Sequence, residues 1–154
     1  MTTMTAARPA APPAQRRTQV CPGYSIGVAC WASSVPLARM AARTTLRCWG
    51  LPEETNEDVV LVATELVSNA VRHTCQAKRE SPDRCHLILE LNMPDTVRVT
   101  VYDGSPRRPV LRRPGDDDAS GRGLCLVDAL AANWGVRPIT GGKAVWAVLK
   151  AGRQ

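Results

Sequence analysis

The sequence of 154 residues contains no phenylalanine, and tryptophan and tyrosine together make up only 4% of it. Proteins that hold single-stranded nucleic acid stack its bases on aromatic side chains, and this chain lacks the material for such a platform. A long apolar run is also missing. Nothing approaches the ~18–20 apolar residues of a membrane-spanning helix, and the N-terminus has no apolar core of a secretory signal, so a cytoplasmic protein with no membrane partner is expected. The six cysteines (Cys21, Cys30, Cys48, Cys75, Cys85 and Cys125) include no Cys-x-x-Cys pair. Their scatter argues against a disulfide framework. The cluster His73, Cys75, Cys85 and His86 has zinc-binding atoms in a spacing unlike the usual finger patterns, and small buried thiols are the simpler expectation. There is no GxxxxGK[ST] segment, since Gly141-Gly142-Lys143 lacks the rest of it, and no strand runs directly into a dinucleotide-type glycine turn.

What is present is the composition of a folded globule. With 44% hydrophobic and 22% charged residues, the chain lies clear of disorder-prone compositions, and its length suits one domain. The net charge is +6, but half of that excess is Arg8, Arg16 and Arg17. The remainder is too modest to mark a DNA-binding face, and no direct nucleic-acid partner is expected. Residues 1–19 show no hydrophobic periodicity and cannot offset the entropy of ordering, so a disordered tail is expected there. A single domain then occupies 20–154.

Alternation in YSIGVAC (24–30) predicts a half-buried strand. Ser34-Val35-Pro36 opens a helix, with Ser34 as its cap, and Gly50 closes it. A second helix runs from about Thr55, with Val59, Val60, Ala63, Leu66, Val67, Ala70 and Val71 in one arc. Asp58, Glu65, Asn69, Arg72 and His73 fall in the opposite arc. Glu65 and Asn69 are four residues apart, one turn of the same face, and could address one ligand. CHLILELN (85–92) and TVRVTVYD (96–103) flank Met93-Pro94-Asp95 as a hairpin. Residues 104–120 form a long polar loop of the kind often used as a lid. Gly121-Arg122-Gly123-Leu124 then leads into a helix, whose first N–H groups suit an anion. The strand KAVWAVLK follows a turn at Thr140-Gly141-Gly142.

Taken singly, these polar positions are ordinary: Glu65 and Asn69 read as solvated surface, Asp103 as a turn residue, and Gly121 and Gly123 as a turn. Their order changes this. ELVSNAVRHT (65–74) resembles the N box of the GHKL (histidine kinase/gyrase/Hsp90-like) ATPase superfamily. VYDGSP (101–106) resembles its G1 box, GRGLCLVDALAANWG (121–135) its G2 box, and GGKAVWAVL (141–149) its closing strand. The short single domain and the E-L-V-x-N-A-x-x-H form are most similar to bacterial anti-sigma factor serine kinases.

That resemblance implies a two-layer α/β sandwich, with three helices on one face of a mixed, mostly antiparallel sheet. It implies ATP and Mg²⁺ as cofactors. Asn69 would supply an oxygen to Mg²⁺, Asp103 would accept a hydrogen bond from the adenine amine and so select ATP over GTP, and Gly121, Gly123 and Leu124 would donate to phosphate. Glu65 would be the catalytic residue that orients or deprotonates the attacking hydroxyl. The implied function is a protein serine/threonine kinase that phosphorylates a small anti-sigma factor antagonist protein and sequesters a sigma factor. The alternative is an ATP-gated protein-binding module without significant phosphotransfer. A homodimer is left open. The family often has Thr where this chain has Ala144, which removes a hydrogen bond to the adenine site worth about 0.5–1.5 kcal/mol. Which of Arg107, Arg108, Arg112 and Arg113 reaches phosphate is not set by the pattern.

Overall fold

The computed structural model describes residues 21–74, 83–92, 95–109 and 122–152. In chain order these form β1 (Gly23–Ala29), α1 (Ser34–Cys48), α2 (Glu53–Thr74), β2 (Arg84–Asn92), β3 (Thr96–Asp103), α3 (Arg122–Leu130), β4 (Asn133–Ile139) and β5 (Gly142–Lys150). The expected tail, residues 110–120 of the expected 104–120 lid, and Gly121 lie outside the described residues.

The five strands form one sheet in the order β1-β2-β3-β5-β4, and each of its four pairings is antiparallel. The α/β sandwich is thus present with the antiparallel character complete. Its core follows from period-2 alternation. Cys85, Leu87 and Leu89 of β2, Val97, Val99 and Val101 of β3, and Val145, Ala147 and Leu149 of β5 are all buried on one side. The helical layer covers that side. α2 lies across β2, β3 and β5 with α1 on one flank and α3 on the other, so it buries more of its circumference than an edge helix would. Thr55, Asn56, Val62 and Thr74 join the arc expected from periodicity. On the opposite side of the sheet Arg98 stacks 4.7 Å above the Trp146 ring. A side chain at Gly135 would collide with that indole, so the glycine lets Trp146 lie flat across the strand pair.

Local readings are corrected at three places. Ser33 occupies the N-cap of α1 without a side-chain cap bond, and Ser34 is the first helical residue, itself buried. The helix after Gly121 stops at Leu130, earlier than LCLVDALAANW suggests, because Asn133 and Trp134 pair with Val148 and Ala147 of β5. β4 escaped the sequence reading since Gly135 and Pro138 interrupt its alternation; proline is tolerated there because β4 is an edge strand. Gly50 does follow α1 at φ +70, donating to the Arg47 carbonyl, as a helix-terminating glycine should.

The strand separates two of the four zinc-type side chains. Cys85 is buried while the adjacent His86 is exposed on the other side of β2, as strand geometry requires; Cys75 lies outside the described residues. Among the described residues no group of three or more His, Cys, Asp or Glu could hold a metal ion. Cys30 and Cys85 are neighbouring buried thiols, and burial first, then the proximity of Cys85, pushes the Cys30 thiol up to about 12. It is an inert core residue. No helix among the described residues is long and apolar enough to cross a membrane.

Candidate nucleotide site

A cavity opens where the C-terminal half of α2, the start of α3 and the ends of β3 and β5 meet. Leu66, Ala70, Leu124, Val145 and Pro109 provide apolar walls, and Asn69, His73, Asp103 and Lys143 provide polar groups. Its volume, open mouth included, is about 250 Å³.

One end of the cavity is built on the sheet. Asp103 is the last residue of β3, with a buried side chain on the same side as Val97, Val99 and Val101. Its Oδ1 accepts from Ser105 N at 2.8 Å, from Thr74 Oγ1 at 3.3 Å and from Lys143 Nζ at 2.8 Å. Lys143 also donates to the Ser105 carbonyl at 3.1 Å. The ion pair is almost fully enclosed, with side-chain exposures of 5% for Lys143 and 1% for Asp103. Removing both charges from water is costly, and good geometry with extra hydrogen bonds is what offsets it. Gly142 makes the close approach of the two strands feasible: a Cβ there would run into the Asp103 carbonyl.

The other end lies at the seam between α2 and α3. Asn69 is buried and lines the cavity, although its place opposite the apolar arc suggested surface; α3 covers it. Its Oδ1 accepts from Arg72 Nη1 at 3.3 Å. Glu65, half-buried one turn earlier, does not line the cavity itself, but its carboxylate reaches Gly123 in the first turn of α3. A Cβ at Gly123 would collide with Glu65 Oε2 and lie 3.7 Å from Asn69 Nδ2. Glu65, Asn69 and Gly123 are therefore brought together. Leu124 is buried at the cavity wall. Gly121 lies outside the described residues.

His73 also lines the cavity. Partial desolvation holds its imidazole below the ordinary histidine value, with the Lys143 and Arg72 charges adding to the effect.

Lys143 is a cavity residue that motif reading passed over. In β5 it is buried on the same side as Val145, Ala147 and Leu149. The same register corrects the weight given to Ala144. It pairs with Tyr102 on the opposite side of the sheet, whereas Lys143 pairs with Asp103. The residue facing the cavity is therefore a lysine, and Ala144 removes nothing from it.

The donor set fits Mg²⁺. One amide oxygen from Asn69 with Glu65 nearby is too little for an all-protein cage, but Mg²⁺ takes few protein ligands and completes its octahedron with phosphate oxygens and water. Bound there, the metal would supply neutralisation of phosphate charge.

A model of the histidine kinase-like ATPase domain matches residues 31–149. No curated protein matches the chain. Among solved structures it is similar to the RsbU and RsbW domains of Rv1364c from Mycobacterium tuberculosis, with a TM-score of 0.66 and 20% identity over 86% of this chain. The histidine kinase domain of the blue-light activated EL346 kinase from Erythrobacter litoralis matches at TM-score 0.49 and 25% identity over 65% of this chain. The matches span 33% and 46% of those longer chains, respectively. Since the family model runs from the loop before α1 to the end of β5 and takes in every wall of the cavity, the chain belongs to the histidine kinase-like ATPase domain family.

Proposed function

We propose that this protein is an ATP-dependent serine/threonine kinase of the anti-sigma factor type, which phosphorylates a small antagonist protein and sequesters a sigma factor. The observation that carries the reading is one cavity lined by a carboxylate, Asp103, at its sheet end and by Asn69 at its helix end, with Glu65 and Gly123 meeting beside Asn69. Asp103 accepts from the base, and the α3 N-terminus directs N–H groups toward phosphate. Asn69 and Glu65 lie one helical turn apart; Asn69 would hold Mg²⁺, and Glu65 orients or deprotonates the incoming hydroxyl. Similarity to a structure that includes an RsbW domain supports a protein partner as substrate.

The second reading, an ATP-gated binding module, draws on Arg72, which occupies the Asn69 oxygen expected to meet Mg²⁺. The two are separated by capturing partners from native lysate with and without ATP·Mg²⁺, then mapping phosphosites on what is retained. ATP-dependent capture with a new phosphoserine or phosphothreonine supports the kinase; ATP-dependent capture without transfer supports the module. ATP·Mg²⁺ at ~100 times its dissociation constant should stabilise the folded protein by ~2.7 kcal/mol, which raises Tm by about 5–10 °C. GTP should do much less.

A further inference from the structure

The sheet end of the cavity holds a donor that the phosphotransfer reading leaves unused. An ammonium group carries three N–H donors. Two of those on Lys143 go to Asp103 Oδ1 and the Ser105 carbonyl. Among the described residues no acceptor takes the third. Asp103 shows the complementary gap: its bonds from described residues all end on Oδ1, and Oδ2 accepts from none of them. Both residues line the cavity, and both side chains are nearly withdrawn from solvent. Neither atom is a buried orphan, since among the described residues Asn56 Oδ1 is the buried side-chain polar atom without a partner; a spare donor beside a spare acceptor on the cavity wall suits a ligand carrying the reverse pair.

We infer that Lys143 reads the base directly, donating to the ring nitrogen that adjoins the amine accepted by Asp103. This rests on the nucleotide reading above and adds a second base contact to it. The pair Nζ and Oδ2 is complementary to an amidine edge, an amine on a carbon next to an unprotonated ring nitrogen. Adenine carries that edge as its C6 amine and N1. Guanine carries the opposite order, a carbonyl at C6 and a protonated N1, which sets oxygen against carboxylate and N–H against ammonium. The ion pair need not open to admit adenine, because the bond to Oδ1 and the contact with the base use different N–H groups. A charged donor makes the stronger kind of hydrogen bond.

The test uses analogues that alter one ring atom. Calorimetric titration of the full chain with Mg²⁺ and ATP, 1-deaza-ATP or 7-deaza-ATP compares a base lacking N1 with one that keeps the amidine edge. 7-Deaza-ATP should bind within about twofold of ATP, and 1-deaza-ATP about tenfold or more weaker, the loss expected for a hydrogen bond to a charged group. In Lys143→Met, which keeps the apolar stem without the donor, ATP and 1-deaza-ATP should converge. Should that variant fail to fold, the wild-type comparison still decides. Wild-type affinity for 1-deaza-ATP within twofold of ATP rejects the role of Lys143 and leaves ATP binding intact, as does a folded Lys143→Met that still separates the two nucleotides. Absence of ATP binding by folded wild type removes both readings.

Discussion

The two ends of the cavity are held by different kinds of structure. At the sheet end, Asp103 and Lys143 sit opposite each other in the β3–β5 register and are locked by four hydrogen bonds. At the helix end, Glu65 and Asn69 belong to one helix and Gly123 to another, and they meet only because α2 and α3 pack. A backbone ladder fixes positions far more tightly than side chains meeting across a helix seam. The sheet end is therefore suited to recognising a fixed shape, and the helix end to groups that shift during a reaction.

That contrast is sharpest under substitution. If Glu65 is the base proposed above, Glu65→Gln should lower phosphotransfer to the cognate antagonist by the ~10²–10⁴-fold typical of a lost general base, with ATP affinity retained. Equal transfer by the variant and wild type would reject the assignment. At the sheet end the loss should instead appear in stability. Lys143→Met strands a buried carboxylate and should cost ~3–5 kcal/mol in denaturant unfolding. Adding Asp103→Asn should restore much of it, because Asn keeps an oxygen for Ser105 N and Thr74 while dropping the charge.

The glycines extend the comparison to smaller effects. A methyl at Gly142 meets the Asp103 backbone, which cannot yield, and Gly142→Ala should cost about 1–3 kcal/mol as overpacking. At Gly123 the same methyl meets the end of a flexible Glu65 side chain. Gly123→Ala should therefore lower Tm less than Gly142→Ala while still slowing transfer by displacing the carboxylate. The reverse ranking in Tm would undo the distinction between the two ends.

The smallest effect concerns pH. The folded pKa of His73 lies below its ordinary 6.5, chiefly through burial and then through the Lys143 and Arg72 charges. As pH falls past about 6.5 the unfolded chain takes up the proton first, so stability declines until the folded pKa is passed. Above 6.5 the contribution is level. His73→Gln should flatten this slope in urea unfolding measured from pH 7.5 to 5; an unchanged slope would assign the decline to other groups.

Much of this was legible in the sequence because it rests on local periodicity. The β2–β3 hairpin and the apolar arc of α2 follow from residue spacing, and the order of the four motif segments is what carried the family resemblance. Other features were not local. Asn69 reads as surface from helical spacing, and only the packing of α3 over α2 buries it. β4 has no alternation of its own and becomes a strand by pairing with β5. Gly121 and most of the lid fall outside the described residues, so their expected roles stand as sequence expectations.

Lys143 marks the boundary between the two sources of information. Alternation in β5 determined that its side chain points inward, and strand spacing determined that Asp103 does the same on β3. Nothing in either segment says that they face each other. The β3–β5 pairing is a long-range register, set by the burial of both strands beneath α2 and by the close approach that Gly142 allows. Sequence determined which side chains are directed into the core; the tertiary register decided that a carboxylate and an ammonium meet there, because only the assembled sheet brings residues forty positions apart into hydrogen-bond contact.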